Sequence, residues 1–392
     1  MIIGVLAIDI YWILFMLLII VMSIFYPKIV IAQSLYFLNS AIEKYYISIE
    51  NSKRKFLRLI NPKMPANKIF EKLDFSVIEP TSLDPYGIVN KLDFIIEQSD
   101  EKIEKYIEKI SNEKDLEKIK NYKLLFQILM VKHYIKKVLE HYRGTIRKYK
   151  NLQLALLIQF QLPIIDRVFR SYEKGFETIL NNLPIGDGIG PLVISNLIER
   201  GDKINEVYEC IVVKKRLFGK DVILVRAKGP GGRLGKIHKV LNELLKKEKN
   251  VEKIITIDAA SKLEEEESGS VSDGVGVAIG GIGVEKFNIE EVAAKKDIKL
   301  DAILVKMSPE EAIQIMNPKI LNNVNNVIEK IKESLEDVNK KAIIVGVGNS
   351  ANVPNTKDEI EKIKLKEKIK DFWEKYGKEE ERKSFIDKLF GI

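Results

Sequence analysis

From Ile2 to Tyr26 the chain carries one charged side chain, Asp9, and between Ile10 and Met22 it is unbroken apolar. As a helix rising ~1.5 Å per residue, Ile10 to Tyr26 covers about 26 Å and the whole run about 37 Å, which brackets a hydrocarbon core of ~30 Å. A stretch of this kind is a candidate transmembrane helix. A cleaved signal peptide would need a basic n-region, a shorter apolar stretch and a small-x-small cleavage site, so a retained anchor is expected. Orientation follows from flanking charge. No Lys or Arg precedes the span, whereas Lys28, Lys44, Lys53, Arg54, Lys55 and Arg58 follow it against Glu43 and Glu50. The expectation is a single-pass protein of the cell membrane, bilayer contact through residues 2–26, N-terminus outside and the bulk cytoplasmic. Asp9 falls near one interface, where a solvated carboxylate is expected rather than an intramembrane functional one.

The remaining chain is long enough for two or three units within its 392 residues. One cysteine and three histidines leave no disulfide framework and no Cys/His zinc cluster. A net charge of +8 on a heavily charged surface makes nucleic acid the least supported partner. After Pro27, apolar residues at Leu35, Leu38, Ile42, Tyr45, Ile49, Phe56 and Leu59 follow a 3,4 spacing broken where Ser52 occupies a seam position. That is an amphipathic juxtamembrane helix, with two outcomes for its seam: packing on the protein's own helices or a homo-oligomer. Residues 63–202 read as a helical domain, interrupted at the proline-containing turn Ile78 to Gly87, where Asp84 and Pro85 have the form of an N-cap and N1 pair. Longer buried helices are expected over Leu124–Leu139 and Leu154–Leu180, the second kinked or broken at Pro163. His133 and His141 lack a neighbouring ligand set and read as surface or core histidines.

Composition then changes. Of 23 glycines, 15 fall between Gly186 and Gly283. Strands are expected at Val207–Val213 and Val222–Val225, joined at Phe218-Gly219-Lys220, followed by a helix over Arg233–Leu245 and a strand at Lys253–Ile257. An extended segment over Val275–Val284, a strand at Ala302–Val305, a helix over Pro318–Leu335 and a strand at Ala342–Val347 complete the pattern. A hairpin followed by alternating strands and helices is the pattern of an α/β domain with a mixed sheet. The expected organisation is an anchor (1–27), a juxtamembrane helix (28–62), a helical domain (63–202), a glycine-rich α/β domain (203–356) and a charged helical tail (357–392).

The sharpest chemical candidate is the string Lys228-Gly229-Pro230-Gly231-Gly232-Arg233-Leu234-Gly235-Lys236 between an expected strand and an expected helix. Backbone N–H groups at a helix N-terminus, with glycines allowing close approach and Lys228, Arg233 and Lys236 adding charge, suit a phosphate. The string is neither a P-loop, since Ile237 follows Gly235-Lys236, nor G-x-G-x-x-G, since three residues separate Gly231 from Gly235. The alternative is a structural tight turn. Asp258 ends the next expected strand 23 residues after Gly235, where a ribose-binding carboxylate would sit.

With Glu264, Asp258 is also the candidate set for Mg²⁺, against a solvated acidic loop as the alternative. Lys262, Ser270 and Asp273 follow in the same loop, and Gly346, Gly348 and Asn349 occupy a strand end where open α/β sheets bind ligands. The expectation is that the loops at Gly229, Asp258 and Gly346 converge. Lone Cys210 lies in an apolar strand and reads as a buried small hydrophobe.

Four strings, P-I-G-D-G-I-G-P-L from Pro184, G-P-G-G-R-L-G from Gly229, D-A-A-S-K-L-E from Asp258 and G-x-G-V-A-I-G-G from Gly274, stand behind the N-terminal apolar run. Together they resemble an uncharacterised archaeal membrane protein family, domain of unknown function 1512. The resemblance spans nearly the whole chain and implies a single-pass membrane protein; it brings no activity and no catalytic residues. The leading expectation is a cytoplasmic α/β domain that binds a phosphorylated small molecule or nucleotide, with Mg²⁺-dependent hydrolytic or phosphoryl chemistry as its reactive form. The runner-up is a non-enzymatic membrane scaffold or regulator assembling through its helices.

Overall fold

The computed structural model describes residues 2–75, 87–277 and 284–375, with side chains described from residue 12 onward except at residues 90, 284 and 285. The expected turn with its Asp84 cap, the glycines at 280–283, the tail beyond 375 and the Asp9 side chain lie outside those residues. Helices follow in the order α1 (Ile2–Ile60), α2 (Ala66–Phe70), α3 (Ile88–Ile110), α4 (Leu116–Tyr149), α5 (Leu152–Leu180), α6 (Ile189–Leu197), α7 (Ile237–Lys247), α8 (Val284–Lys295), α9 (Pro309–Ile313), α10 (Pro318–Asn322), α11 (Val324–Ser334) and α12 (Lys357–Lys362). Strands are β1 (Ile204–Val207), β2 (Cys210–Leu217), β3 (Lys220–Ala227), β4 (Val251–Ser261), β5 (Val271–Val275), β6 (Lys299–Met307) and β7 (Lys341–Gly346). By compactness the chain divides into one unit of Met1–Arg54 with Leu129–Arg170 and a second of Lys55–Ile128 with Ser171–Ile392.

In the first unit, α1 continues without interruption through Pro27. Its residues from Trp12 to Tyr26 are exposed, whereas Leu38, Ile42, Tyr45 and Ile49 are buried against Leu139 and Ile146 of α4 and Ala155, Ile158 and Phe169 of α5. That part of the 3,4 seam is thus satisfied within the unit. The Tyr45 and Phe169 rings stack at 3.8 Å. Ser52, the polar residue that interrupts the apolar spacing, has a partner: the buried Lys132 ammonium donates to Ser52 Oγ at 2.8 Å and Ser48 Oγ at 2.9 Å. α5 is continuous through Pro163, so of the kink or break expected there the break is absent. A proline removes one backbone donor, and here buried Ala155 and Ile158 before it and Phe169 after it hold the helix on the same core. By length and apolar content, Trp12–Ile60 and Leu152–Leu180 each suffice to cross a membrane.

The second unit is built on a seven-stranded sheet in the order β1-β2-β3-β7-β4-β6-β5. β3, β7, β4 and β6 are parallel, and antiparallel strands flank them on both sides. The parallel strands read as continuous apolar runs, Val222–Val225 and Ile343–Val345 among them, because both faces are covered. α7 and α8 cover one face; α6, α10, α11 and α12 cover the other.

Several sequence-derived boundaries move. The single strand expected over Val207–Val213 is two, split at Tyr208 and Glu209, whose φ values of 50° and 60° make a two-residue hairpin turn. Tyr-Glu carries none of the Asn-Gly signal that marks such turns. The helix expected from Arg233 begins at Ile237, and the one expected over Pro318–Leu335 divides at Asn323. β4 runs on to Ser261 beside β6, so Asp258 marks only the end of its pairing with β7, whose last register pair is Ile257 with Gly346.

Candidate functional site at the carboxyl edge of the sheet

β3 leads to α7 on one face, and β7 leads to α12 on the other. Neighbouring parallel strands whose connections leave on opposite faces open a crevice at their carboxyl ends. β3 and β4 flank β7, so the loops that follow them lie about 10 Å apart at ordinary strand spacing. Hydrogen bonds join these loops directly. Ser350 Oγ is within 2.8 Å of the carbonyls of Lys228 and Gly231, and Asn352 N–H donates to Pro230 O at 2.7 Å. Asn355 exchanges bonds with both backbone groups of Gly229. Val347 N–H donates to Ile257 O at 2.9 Å, which ties the β7 loop to the residue before Asp258.

Onto this edge the segment Ile185–Gly190 packs without side chains in the way. A Cβ on Gly190 would stand 2.5 Å from Ile257 O and closer still to Val347 O, while Gly348 has a φ of 124° and lies against the Asp187 carbonyl. That proximity brings in Asp187, whose Oδ2 accepts from Asn349 N–H at 2.8 Å. Asp258 is 3% exposed, its Oδ1 accepts from Ala259 N–H at 2.7 Å, and its Oδ2 has no hydrogen-bond partner among the described residues. Burial pushes the Asp258 carboxyl well above the usual range, and the negative charge of Asp187 pushes it further. Burial also raises Asp187, against the opposing Asn349 N–H bond. The edge therefore carries two mutually repelling carboxyls, one with a free oxygen, beside the first turn of α6.

The glycine string from Lys228 to Lys236 presents a different picture. Glu117 of α4 fills it. Its Oε2 accepts from Gly231 N–H at 2.8 Å and Arg233 Nη1 at 2.5 Å, its Oε1 from Arg233 Nη2 at 2.9 Å, and Lys228 Nζ lies 3.7 Å away. Asn121 Oδ1 takes the Gly232 N–H at 2.8 Å. A backbone donor, a guanidinium fork and an ammonium around one carboxylate form the donor set a phosphate would require, and here a side chain of the same chain satisfies it. Gly235, at a φ of 71°, packs on Cys210 and Ala227 instead of facing an anion. Cys210 is buried, as its apolar strand implied.

Residues 12–182 match the N-terminal domain described as a protein of unknown function, DUF1512, and residues 185–354 match the DUF1512 C-terminal domain of unknown function. The chain carries both domains of the DUF1512 family. No curated protein matches it.

Within the DUF1512 C-terminal domain the other sequence candidates scatter. Asp273 is exposed on edge strand β5, 3.6 Å from Lys330, and β5 lies four positions from β3 in the sheet order. Lys262 Nζ donates to Glu266 O at 3.1 Å and Ser270 N–H donates to Glu267 O at 3.1 Å, both on the β5–β6 side. Glu264 is exposed while Asp258 is buried, and the described residues hold no cluster of three or more His, Cys, Asp or Glu able to bind a metal. A cavity of about 330 Å³ lined by Asp93, His238, Asn242 and Lys295 includes none of the residues singled out from sequence.

Three residues of the site escaped the sequence reading. Asp187 was visible only as a lone acid among the glycines of P-I-G-D-G-I-G-P. Glu117 is one glutamate in a charged helix, and nothing local marks its partner more than a hundred residues away. Arg226 sits in the apolar run of β3, fully buried, where its guanidinium donates to Ser195 Oγ and to the carbonyls of Pro191 (3.2 Å), Pro354 (2.6 Å), Val353 (3.3 Å) and Ala227 (2.8 Å). Burial lowers its pKa to about 9. Arg226 thereby clasps α6 and the β7 loop to β3.

Proposed function

We propose that this DUF1512 protein is a membrane-anchored, cytoplasmic-facing protein whose C-terminal domain binds a phosphorylated small molecule, a nucleotide being the leading class, at the Asp187–Asp258 edge. The observation that carries the reading is Asp258 Oδ2, a buried carboxyl oxygen without a partner among the described residues. Buried polar groups are otherwise almost always satisfied, and an orphan at the carboxyl end of parallel strands is where a ligand hydroxyl or a cation would bond. Two carboxyls that repel each other when empty suit Mg²⁺, which takes one or two protein carboxylates and completes its shell with water and phosphate oxygens. Asp258 and Asp187 would hold it, and the ion would supply charge neutralisation for a phosphoryl group. Asn349, beside Asp187, would orient the ligand. The exposed apolar run Trp12–Tyr26 supports a single-pass anchor, with its N-terminus outside on the charge bias.

A second reading, a non-enzymatic scaffold or regulator, is favoured by one observation: Glu117 and Asn121 already occupy the glycine string. Thermal denaturation of the full chain in detergent, against nucleotides, sugar phosphates and polyphosphate with and without Mg²⁺, separates the two. A ligand of the native state raises the midpoint by mass action. A shift for one phosphate compound that Asp258→Asn removes supports the binding reading; a flat panel favours the scaffold.

A further inference from the structure

The first unit has an end of one charge sign. α1 and α5 run side by side in the same direction, since Ser34 Oγ donates to Gln159 Oε1 at 2.8 Å and, farther along, Tyr45 Oη donates to Asp166 Oδ1 at 3.2 Å. α4 runs the opposite way: Lys132 reaches Ser48 and Ser52, while Arg143 and Arg147 reach Asn39 Oδ1 at 3.5 Å and 3.4 Å. The α4–α5 turn is therefore at the end of the bundle nearest the exposed apolar run. Leu152 precedes Gln159 by seven residues, about 10 Å along the axis, which brings the turn level with Pro27 and Lys28 of α1. That is the level at which the exposed run Trp12–Tyr26 ends.

The charged side chains toward this end are Lys28, Arg147, Lys148 and Lys150, with Arg143 farther along at the level of Asn39. The sequence has no Asp or Glu between Asp9 and Glu43, and none between Glu140 and Asp166, so no carboxylate of α1, α4 or α5 offsets them at this end. Arg147, Lys148, Tyr149 and Lys150 are all exposed, Tyr149 to 65%. Lys148 Nζ lies 5.1 Å from the Tyr149 ring and Lys28 Nζ 5.5 Å from the Phe25 ring. Aromatic rings with lysines beside an apolar helix are the chemistry of a membrane interface, and acid-free basic clusters are held by anionic headgroups.

We infer that the α4–α5 turn is a second membrane contact, at which Arg147, Lys148 and Lys150 with Lys28 bind the headgroups of anionic lipid. The inference rests on the anchor reading and extends it, because it fixes the tip of the first unit against the bilayer surface.

The test incorporates the full chain into lipid nanodiscs of phosphatidylglycerol or of phosphatidylcholine and follows chymotryptic cleavage after Tyr149. Cleavage is expected to be about tenfold or more slower in the anionic discs at low salt, with the difference collapsing in about 1 M salt, where screening is nearly complete. The variant Arg147→Gln/Lys148→Gln/Lys150→Gln is expected to be cleaved equally in both. Equal cleavage of the unaltered chain in the two discs would overturn the contact while leaving the anchor intact. Protection by inorganic phosphate in phosphatidylcholine discs would overturn it in favour of a soluble anion. Failure of the chain to enter either disc would overturn the contact and the anchor together.

Discussion

Glu117 grips Arg233 through both carboxylate oxygens, and the oxygen nearer Nη1 also takes the Gly231 N–H. Arg233 is 8% exposed. Truncating Glu117 to Ala strips the buried Arg233 guanidinium of both carboxylate bonds, leaving it the Lys228 carbonyl at 3.1 Å and Glu209 at 3.9 Å, and removes the partner of the Gly231 N–H, an effect of about 2–4 kcal/mol. Urea denaturation should record it as a lower midpoint at unchanged slope.

The same pair sets an acid limb. Burial pushes the Glu117 carboxyl up, but the hydrogen bond and charge of Arg233 and the Gly231 N–H outweigh it and hold the carboxyl below the usual range. Its contribution is therefore fully present above the ordinary carboxylate range and is lost as pH falls below that range, through the depressed value of the folded state. Asp337, held down to about 2 by hydrogen bonds from Lys253 and Lys299, has the same sign. The stability difference between the unaltered chain and Glu117→Gln should be largest near neutral pH and shrink in acid, as read from denaturation midpoints across pH.

Asp258 behaves in the opposite sense to Glu117. In the absence of ligand its carboxyl is opposed by burial and by Asp187, so Asp258→Asn relieves a cost and should raise the thermal midpoint by about 2–4 °C. Mg²⁺ should then raise the midpoint of the unaltered chain and leave the variant unmoved. A variant that melts earlier without Mg²⁺ would argue against repulsion at this edge.

Arg226→Met keeps an unbranched apolar stem but removes the guanidinium bonds to the carbonyls of Pro191, Val353, Pro354 and Ala227. Ser195 Oγ still reaches the Pro191 and Pro354 carbonyls, so the loss of the guanidinium bonds predicts about 1–3 kcal/mol, measurable by urea titration.

Gly190→Ala tests the packing of α6. Its Cβ would meet the carbonyls of Ile257 and Val347, so the helix must lift from the strand ends at about 1–3 kcal/mol. Asp187 would move with it, and ligand binding should fall further than stability does.

The architecture was legible in the sequence because its elements carry strong local signals. The apolar run from Ile10, the 3,4 spacing of Leu38, Ile42, Tyr45 and Ile49, and the buried strands at Val222–Val225 and Ile343–Val345 each announce their element. The misplaced boundaries arose where tertiary contacts override local pattern. Tyr208-Glu209 turns the chain without turn residues, and Arg233, which looks like the start of a helix, is held out of it by Glu117 and Ser350. The site was legible in part: Asp258, Gly346, Gly348 and Asn349 stand out as polar or glycine residues at strand ends. Asp187 joins them only because three glycines let one segment lie against two strand ends, a relation across more than 150 residues that spacing cannot express.

The central claim is that a phosphorylated ligand binds against Asp258. Calorimetric titration of the nucleotide or sugar phosphate that most raises the thermal midpoint, into the unaltered full chain, Asp258→Asn and Glu117→Gln, tests it most directly. The account predicts saturable binding to the unaltered chain and to Glu117→Gln, with affinity reduced tenfold or more in Asp258→Asn, the loss expected for about 1.4 kcal/mol of contact. Binding that survives Asp258→Asn unchanged, or that is lost in Glu117→Gln alone, would contradict it.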